Sequence, residues 1–459
     1  MKAKALLGLS HIIALTCLIS LNAAYVRAAT FTASEALLPQ NKPQEKFNLQ
    51  SYLTEYIRNS PQVRSQKNTL ENAEASYKNA FLSAFMPSFS MGASASKSYS
   101  QDNKPGNLDE MSHFRTSGSA SASWNIFNSG KDMLSYKSSS IDYKISFIDF
   151  DAFIQETVLS AVQNYYNLLL NKKMLDVYRS NLQISKKRYE QDKLLYDNGI
   201  KTRSDLLSSE TNYRSSQLSL FTAQNNYANA LTSFNISLNQ PVETEIRLDE
   251  KIDQALITLP KLNKDLAQAL ERRHDARKRR LQLEQHEITL RRGKRSLLPS
   301  LYAGLNASTG RSFDTHDQWG YNYSISAGIS FDLGFFYKDK ARQRQTLERN
   351  YENALLSHEQ FLRTLRDNVV QSRNSLELKM QSMKISELRV KSATQKFEAT
   401  QNKYKNGLMS ATDLTIALQE MTSAQVNHAT LMTELAVMKL KYRYAIGENI
   451  FDYSMEDFK

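Results

Sequence analysis

The sequence predicts a mainly α-helical, internally duplicated chain in which very long helices are interrupted by two pairs of short β-strands. Three observations predict it: the scarcity and placement of Gly and Pro, a self-match at a nearly fixed offset, and strict alternation in four short segments. Only 14 Gly and 8 Pro occur in 459 residues, about 5% where roughly 12% is ordinary. Pro is absent from 106–240 and from 300–459, Gly199 is the only Gly between Gly130 and Gly293, and only Gly407 and Gly447 follow Gly334. Because Gly and Pro usually end helices, the open runs predict helices of about 60 residues, roughly 90 Å long at 1.5 Å per residue.

The self-match centres on YEQDKLLYDNGIKTRSDLL from Tyr189 and FEATQNKYKNGLMSATDLT from Phe397. At an offset of 208, Tyr196 matches Tyr404, Asn198-Gly199 matches Asn406-Gly407, and Asp205-Leu206 matches Asp413-Leu414. Upstream, FMPSFSMGASAS at 85–96 parallels LLPSLYAGLNAS at 297–308, and SASWNIFNSGK at 121–131 parallels GISFDLGFFYK at 328–338, within 324–338. Two halves therefore share one order: helix, Pro-Ser, strand pair, long helix, Asn-Gly turn, helix. The first repeat spans 45–240, with strands about 88–100 and 115–127 and a turn at 197–203. The second spans 262–448, with strands about 300–310 and 321–333 and a turn at 405–411. Residues 241–261 form an equatorial linker, 29–44 an N-terminal extension and 449–459 a C-terminal tail.

Each short segment has an apolar face and a small polar face. Phe89, Met91, Ala93 and Ala95 alternate with Ser88, Ser90, Gly92 and Ser94; Ala120, Ala122, Trp124 and Ile126 alternate with Ser119, Ser121, Ser123 and Asn125. Leu301 to Ala307 and Tyr323 to Phe331 repeat the pattern in the second half. Period two with one apolar face in segments of about ten residues fits a membrane β-barrel with a wet lumen, and equally a soluble sandwich. In the long helices, apolar residues such as Phe153, Val158, Ala161, Val162, Tyr165, Leu168 and Leu169 recur at three and four with many polar residues between them. Stripes this narrow suit coiled-coil packing rather than a globular core.

The N-terminus carries Lys2 and Lys4, an apolar run from Ile12 to Leu21, and small residues around Ala28. This reads as a secretory leader, 1–28, cut after Ala28; an uncleaved anchor helix is the alternative. Cys17, the sole cysteine, lies within it, so no disulfide, cysteine metal site or N-terminal lipid is expected in the mature chain. A mean hydropathy of −0.52 with 23% charged residues excludes both a polytopic helical membrane protein and a disordered chain.

Four strands cannot close a barrel, and an open sheet edge is not viable in lipid. Strands from several chains must share one barrel, which predicts a closed cyclic homo-oligomer with the helices continuing beneath it as a tube. In this combination the chain resembles the TolC family of outer-membrane efflux and secretion ducts. The residues that carry the resemblance are the repeated Tyr-x-x-Gly…Asp-Leu turns, the Pro-Ser strand starts and the Trp-Asn-Ile-Phe-Asn-Ser-Gly segment, over about 45–450. The resemblance implies a homotrimer with a shared twelve-stranded β-barrel in the outer-membrane lipid of a Gram-negative cell and an α-helical tunnel in the periplasm. It also implies a periplasmic adaptor (membrane fusion) protein and an inner-membrane ABC or RND transporter as partners, in a tripartite efflux pump or type I secretion system. The alternative is a periplasmic coiled-coil adaptor or structural protein without a membrane barrel.

The same resemblance places Asn198, Gly199, Asn406 and Gly407 at helix-turn tips that dock the adaptor. Tyr404 and Asp205 would hold a closed state through polar contacts between neighbouring helices, and Asp413 would line the constriction as an acidic ring. Met409 stands where better-known members have Arg, and Ile416 where they have a second ring Asp. Read from the residues alone, Gly199 and Gly407 are left-handed turn positions, and Asp205 and Asp413 are equally helix-start carboxylates serving the dipole or cap.

The basic runs RRHDARKRR at 272–280 and RRGKR at 291–295 read as a solvated helix face with interfacial snorkelling by the second run, not as a nucleic-acid site. The net charge of +12 includes Lys2, Lys4 and Arg27 of the leader. Of the remaining His residues, His113, His274, His286, His316, His358 and His428, none forms an HExxH pair, and no nucleophile elbow, Walker or dinucleotide fingerprint occurs. Neither catalysis nor a cofactor is expected, and the energy for transport must come from a partner.

Overall fold

The computed structural model describes residues 46–104, 107–244, 246–249, 259–295, 298–312, 316–330 and 337–453. The leader, the extension at 29–44, residues 250–258 of the linker, the end of the last expected strand at 331–333 and the tail beyond 453 lie outside the described residues. The first half runs β1 (Lys46–Phe47), α1 (Leu49–Asn59), α2 (Pro61–Phe85), β2 (Ser88–Lys104), β3 (Asn107–Asn128), α3 (Lys131–Asp197) and α4 (Arg203–Ser237). After β4 (Arg247–Leu248), the second half runs α5 (Leu262–Arg272), α6 (His274–Lys294), β5 (Ser300–Ser312), β6 (His316–Ser330), α7 (Tyr337–Lys405) and α8 (Ala411–Ala445).

The two long helices reach 67 and 69 residues, roughly 100 Å each. Each is met by two shorter helices end to end, α1–α2 with α4 along α3, and α5–α6 with α8 along α7. Breaks between the short helices fall where the backbone turns extended: Ser60 before Pro61, and Arg273. Among the described residues no helix is long and apolar enough to cross a membrane.

The four long strands form one antiparallel sheet in the order β2-β3-β5-β6. Its register carries the alternation across all four: Phe89, Ala122, Leu305 and Ile325 form one row, and Ser90, Ser121, Asn306 and Ser324 the next. Serine hydroxyls pair across the polar face, Ser88 with Ser123 and Ser90 with Ser121 at 2.6 Å, and Ser94 with Ser117 at 2.8 Å. The apolar face is bare: Phe89 is 78% exposed, Met91 89% and Ile325 86%. Exposed apolar surface on this scale needs a hydrocarbon or protein partner. Consecutive left-handed residues, Ser129 (φ 55) and Gly130 (φ 68), turn β3 into α3. The Ser129 hydroxyl donates to the Leu298 carbonyl at 2.6 Å, binding the two strand–helix junctions together.

Cores lie at the equator, where the short helices meet. Tyr52 stacks on Phe234 with ring centroids 4.3 Å apart, and its hydroxyl pairs with Ser237 at 2.9 Å. The Tyr165 hydroxyl donates to the Asp249 carbonyl at 3.0 Å, beside the parallel β1–β4 bridge. In the second half Tyr442 takes the position of Phe234, and its hydroxyl donates to buried Asp265, which also accepts from Arg373 at 2.7 Å. The 272–280 run is held by acids and carbonyls of this chain: Arg273 is bidentate on Asp275, His274 pairs with Asp151 at 2.8 Å, and Lys278 is bidentate on Asp149.

Fully buried Gln155 of α3 fixes the segment after α8. Its side-chain N–H donates to the Phe451 carbonyl at 2.9 Å, and its oxygen accepts from the Ile450 and Phe451 amides at 2.8 and 3.2 Å. Gln155→Ala leaves these backbone groups unpaired. We expect a loss of about 2 kcal/mol in unfolding free energy and faster proteolysis after Glu448 in limited digestion, with helix content unchanged by circular dichroism.

Candidate functional site at the helix-turn tips

Both Asn-Gly turns close the same way. The Gly199 amide donates to the Tyr196 carbonyl at 2.9 Å and the Ile200 amide to the Leu195 carbonyl at 2.8 Å; Gly407 and Leu408 donate to Tyr404 and Lys403 at 3.0 and 2.9 Å. Gly199 and Gly407 have φ of 73° and 74°, and nothing lies within 4 Å of a Cβ placed on either. Backbone conformation alone therefore requires glycine there. The residue after each glycine is an exposed apolar knob, Ile200 at 71% and Leu408 at 73%. Asn198 and Asn406 are exposed beside them.

Asp205 and Asp413 each occupy the third position of a capping box. The Asp205 amide donates to Thr202 Oγ1 at 3.2 Å while its carboxylate accepts from the Thr202 amide and hydroxyl at 3.4 and 2.7 Å. Asp413 does the same with Ser410, at 3.1 Å for both amide bonds and 2.6 Å for the hydroxyl. The serine and threonine hydroxyls hold both carboxyls below the usual carboxylate value. All of these bonds fall within each residue's own helix start, and the structure does not join either carboxylate to Tyr404.

Tyr404 instead enters a knot that sequence reasoning missed. Its hydroxyl donates to Asp192 Oδ1 at 2.7 Å, and Lys201 Nζ donates to both Asp192 Oδ1 and the Tyr404 oxygen. The Lys201 ammonium also lies 4.4 Å from the Tyr404 ring centre. Arg188, one turn before Asp192, donates to Thr415 Oγ1 at 2.6 Å and to the Ala411 carbonyl at 2.7 Å, and its guanidinium lies 5.4 Å from the same ring. Thr415 further accepts from Asn212 at 3.0 Å. Side chains of α3, the first turn, α4, α7 and α8 thus converge on a carboxylate that is 1% exposed.

Burial alone would lower the Lys201 pKa, but its bonds to Asp192 and Tyr404 outweigh that and raise it. Burial raises the Tyr404 phenol, with Asp192 adding to the rise and Lys201 opposing it. The knot therefore holds an ammonium and a neutral phenol on one carboxylate over the whole neutral range. Above it, Asn181 donates to Thr422 at 2.9 Å and Ser185 pairs with Ser216 at 2.8 Å, continuing a polar ladder between α3, α4 and α8. Beside this ladder, Phe397, Leu414, Ala417, Leu418 and Met421 form the local apolar core against Tyr404 and Ile184.

One signal could have pointed to the knot. At the repeat offset Lys201 occupies the place of Met409, so a cation two residues past the glycine is present in this chain, on the first turn instead of the second. Among the described residues no group of three His, Asp or Glu could hold a metal ion.

The outer membrane efflux protein family matches this chain over residues 52–240 and 266–447, and the chain belongs to that family. The family is one of channels rather than enzymes. The protein is accordingly a subunit of an efflux or secretion duct of the Gram-negative outer membrane, with its helical part in the periplasm. Solved structures share the fold. VceC of Vibrio cholerae aligns at a TM-score of 0.70 and 15% identity over 88% of this chain and 97% of its own. CusC gives 0.73 and 14% over 90% and 96%, and Campylobacter jejuni CmeC 0.70 and 18% over 88% and 87%. No curated protein matches in a sequence comparison.

The shifts set a pH response for the tips. Asp205 and Asp413 are depressed below 3.8, so their capping contribution is complete above that value and is lost as pH falls through the lower folded value. Lys201 is raised above 10.5, so its contribution is present below that value and is lost as pH climbs through the higher folded one. Hydrogen exchange at the turn amides should therefore be flat in protection between pH 5 and 9, loosening only below about 4 and above about 10.5.

Proposed function

We propose that three copies of this chain form one passive duct whose periplasmic end is held shut by the Asp192 knot. The observation that carries the reading is the sheet order, which leaves β2 and β6 as unpaired edges beside a bare apolar face. Edges in hydrocarbon must pair, so β6 of one copy pairs with β2 of the next, and three copies give a closed barrel of twelve strands. The long helices then hang as a tube with the Gly199 and Gly407 turns at its far end.

At that end the knot fastens the α7–α8 hairpin to α3 within each copy. Separating them strands Asp192 without its partners, and an uncompensated buried charge costs about 3–5 kcal/mol. Closure is therefore the resting state, and opening needs an input from outside the chain. An adaptor that seats on Asn198, Gly199, Asn406 and Gly407, gripping the Ile200 and Leu408 knobs, is placed to supply it, with an inner-membrane ABC or RND transporter delivering cargo. Asp205 fixes the start of α4, which orients the first turn and so places Lys201. Asp413 is exposed at the start of α8; three copies around the axis form an acidic ring that favours cations.

Two pairs of substitutions separate these roles in planar bilayers. Asp192→Asn should raise single-channel conductance several-fold, and Tyr404→Phe should raise it by less; unchanged conductance in both would remove the latch. Asp413→Asn should abolish cation preference and divalent block, whereas Ser410→Ala, which breaks the capping box for about 1 kcal/mol but keeps the charge, should preserve both. Equal effects of the last two would reduce Asp413 to a cap.

A further inference from the structure

The two strand–helix junctions, though related by the repeat, carry different chemistry. At the end of α6 stand Arg291, Arg292, Lys294 and Arg295; at an offset of 212, the end of α2 has Asn79, Ala80, Leu82 and Ser83. The start of α7 adds Lys338, Lys340, Arg342 and Arg344, where the start of α3 has Lys131, Met133, Ser135 and Lys137. Over 287–295 and 337–348 eight bases stand against three acids, Glu287, Asp339 and Glu348. Among the described residues those acids form open ion pairs, Arg291–Glu287, Arg342–Asp339, and Glu348 shared between Lys294 and Arg344, with side chains 41–77% exposed, and Lys340 has a partner of its own.

A helix-dipole role does not account for the bases, since α2 ends at the same Pro-Ser with no base in its last turn. The level in the membrane is fixed by the sister junction. There Phe81 and Phe85 pack on Tyr136 at 5.7 and 5.8 Å, both phenylalanines remain exposed, and Trp124 donates its indole N–H to the Phe85 carbonyl at 3.2 Å. Aromatic rings of this kind mark the boundary between hydrocarbon and headgroups. By the repeat the bases take the corresponding place, with Arg295 six residues before Leu301, where the bare apolar row begins.

We infer that the second-repeat rim, centred on Arg291, Arg292, Lys294 and Lys338, is a binding surface for anionic phospholipid headgroups of the periplasmic leaflet. The inference rests on the barrel's placement in the outer membrane. Phosphodiester oxygens supply the anionic acceptors that the three local acids leave in deficit, and the long stems of Arg and Lys lie along the apolar rim while their charges reach the headgroups. The first repeat anchors by aromatic rings and the second by charge, so each copy grips the leaflet in two ways.

The test uses the full-length protein in phosphatidylcholine bilayers with spin-labelled phosphatidylglycerol or phosphatidylcholine as probe. The ratio of the two association constants should be about threefold or more, falling toward one in 1 M salt. In the combined variant Arg291→Gln, Arg292→Gln, Lys294→Gln and Lys338→Gln the ratio should fall to about one. A control with Lys384, Arg389, Lys391 and Lys403 changed to Gln, far down α7, should keep it. Equal association of the two lipids with the unaltered protein would overturn the inference, as would an equal drop in the control. Equal association together with loss of the oligomer in the rim variant would assign the surface to a neighbouring copy instead. Absence of any motionally restricted lipid would overturn the membrane placement itself.

Discussion

An unpaired strand edge cannot stand in hydrocarbon, and the rest of this structure follows from that constraint. One chain supplies four strands with an apolar row on one side and serine ladders on the other, and it leaves two edges open. Its sheet is incomplete alone, which is why the function proposed above requires a ring of copies. The ring fixes an axis, the axis fixes where the helices descend, and their length of roughly 100 Å carries the far end well beyond the leaflet. The narrow apolar stripes that look too thin for a globular core are what helices need when they pack side by side in a tube wall.

Within that scaffold, the roles proposed above fall where the repeats depart from each other. The tips share backbone geometry, capping box and exposed apolar knob, yet only the first half carries Lys201, where the second has Met409, and Asp192, where the second has Thr400. The result is a single knot per chain, made from one half's charges and the other half's tyrosine. At the membrane rim the difference runs the other way, with bases in the second half and aromatic rings in the first. Duplication supplies two equivalent places, and divergence gives each a different set of side chains.

Much of the fold was legible in the residues because its signals are local. Alternation at 89–95 and 301–307 reports strands regardless of context, and Asn-Gly after a long Pro-free run reports a left-handed turn. Thr202-x-x-Asp205 and Ser410-x-x-Asp413 are likewise local, and their helix-start reading matches the capping boxes observed. Arg188 and Asp192 were not legible. Four residues apart on a polar helix, they resemble a solvated ion pair, and they become buried only when α8 packs across α3. Gln155 is hidden for the same reason: its partners lie nearly 300 residues away, and no spacing rule connects them.

Edge pairing between copies tests the account most directly. Cysteine placed at Met91 on β2, combined in turn with cysteine at Tyr321, Tyr323 or Ile325 on β6, samples successive registers on the apolar face of a chain whose sole native cysteine is Cys17. Mild oxidation in isolated outer membranes should give disulfide-linked dimers and trimers, and nothing larger, with one of the three pairs strongly preferred, because only one register brings the β-carbons within bonding range. A membrane-inserted chain that yields no intermolecular disulfide with any pair, or a ladder extending beyond three copies, would contradict a closed twelve-stranded barrel shared by three chains.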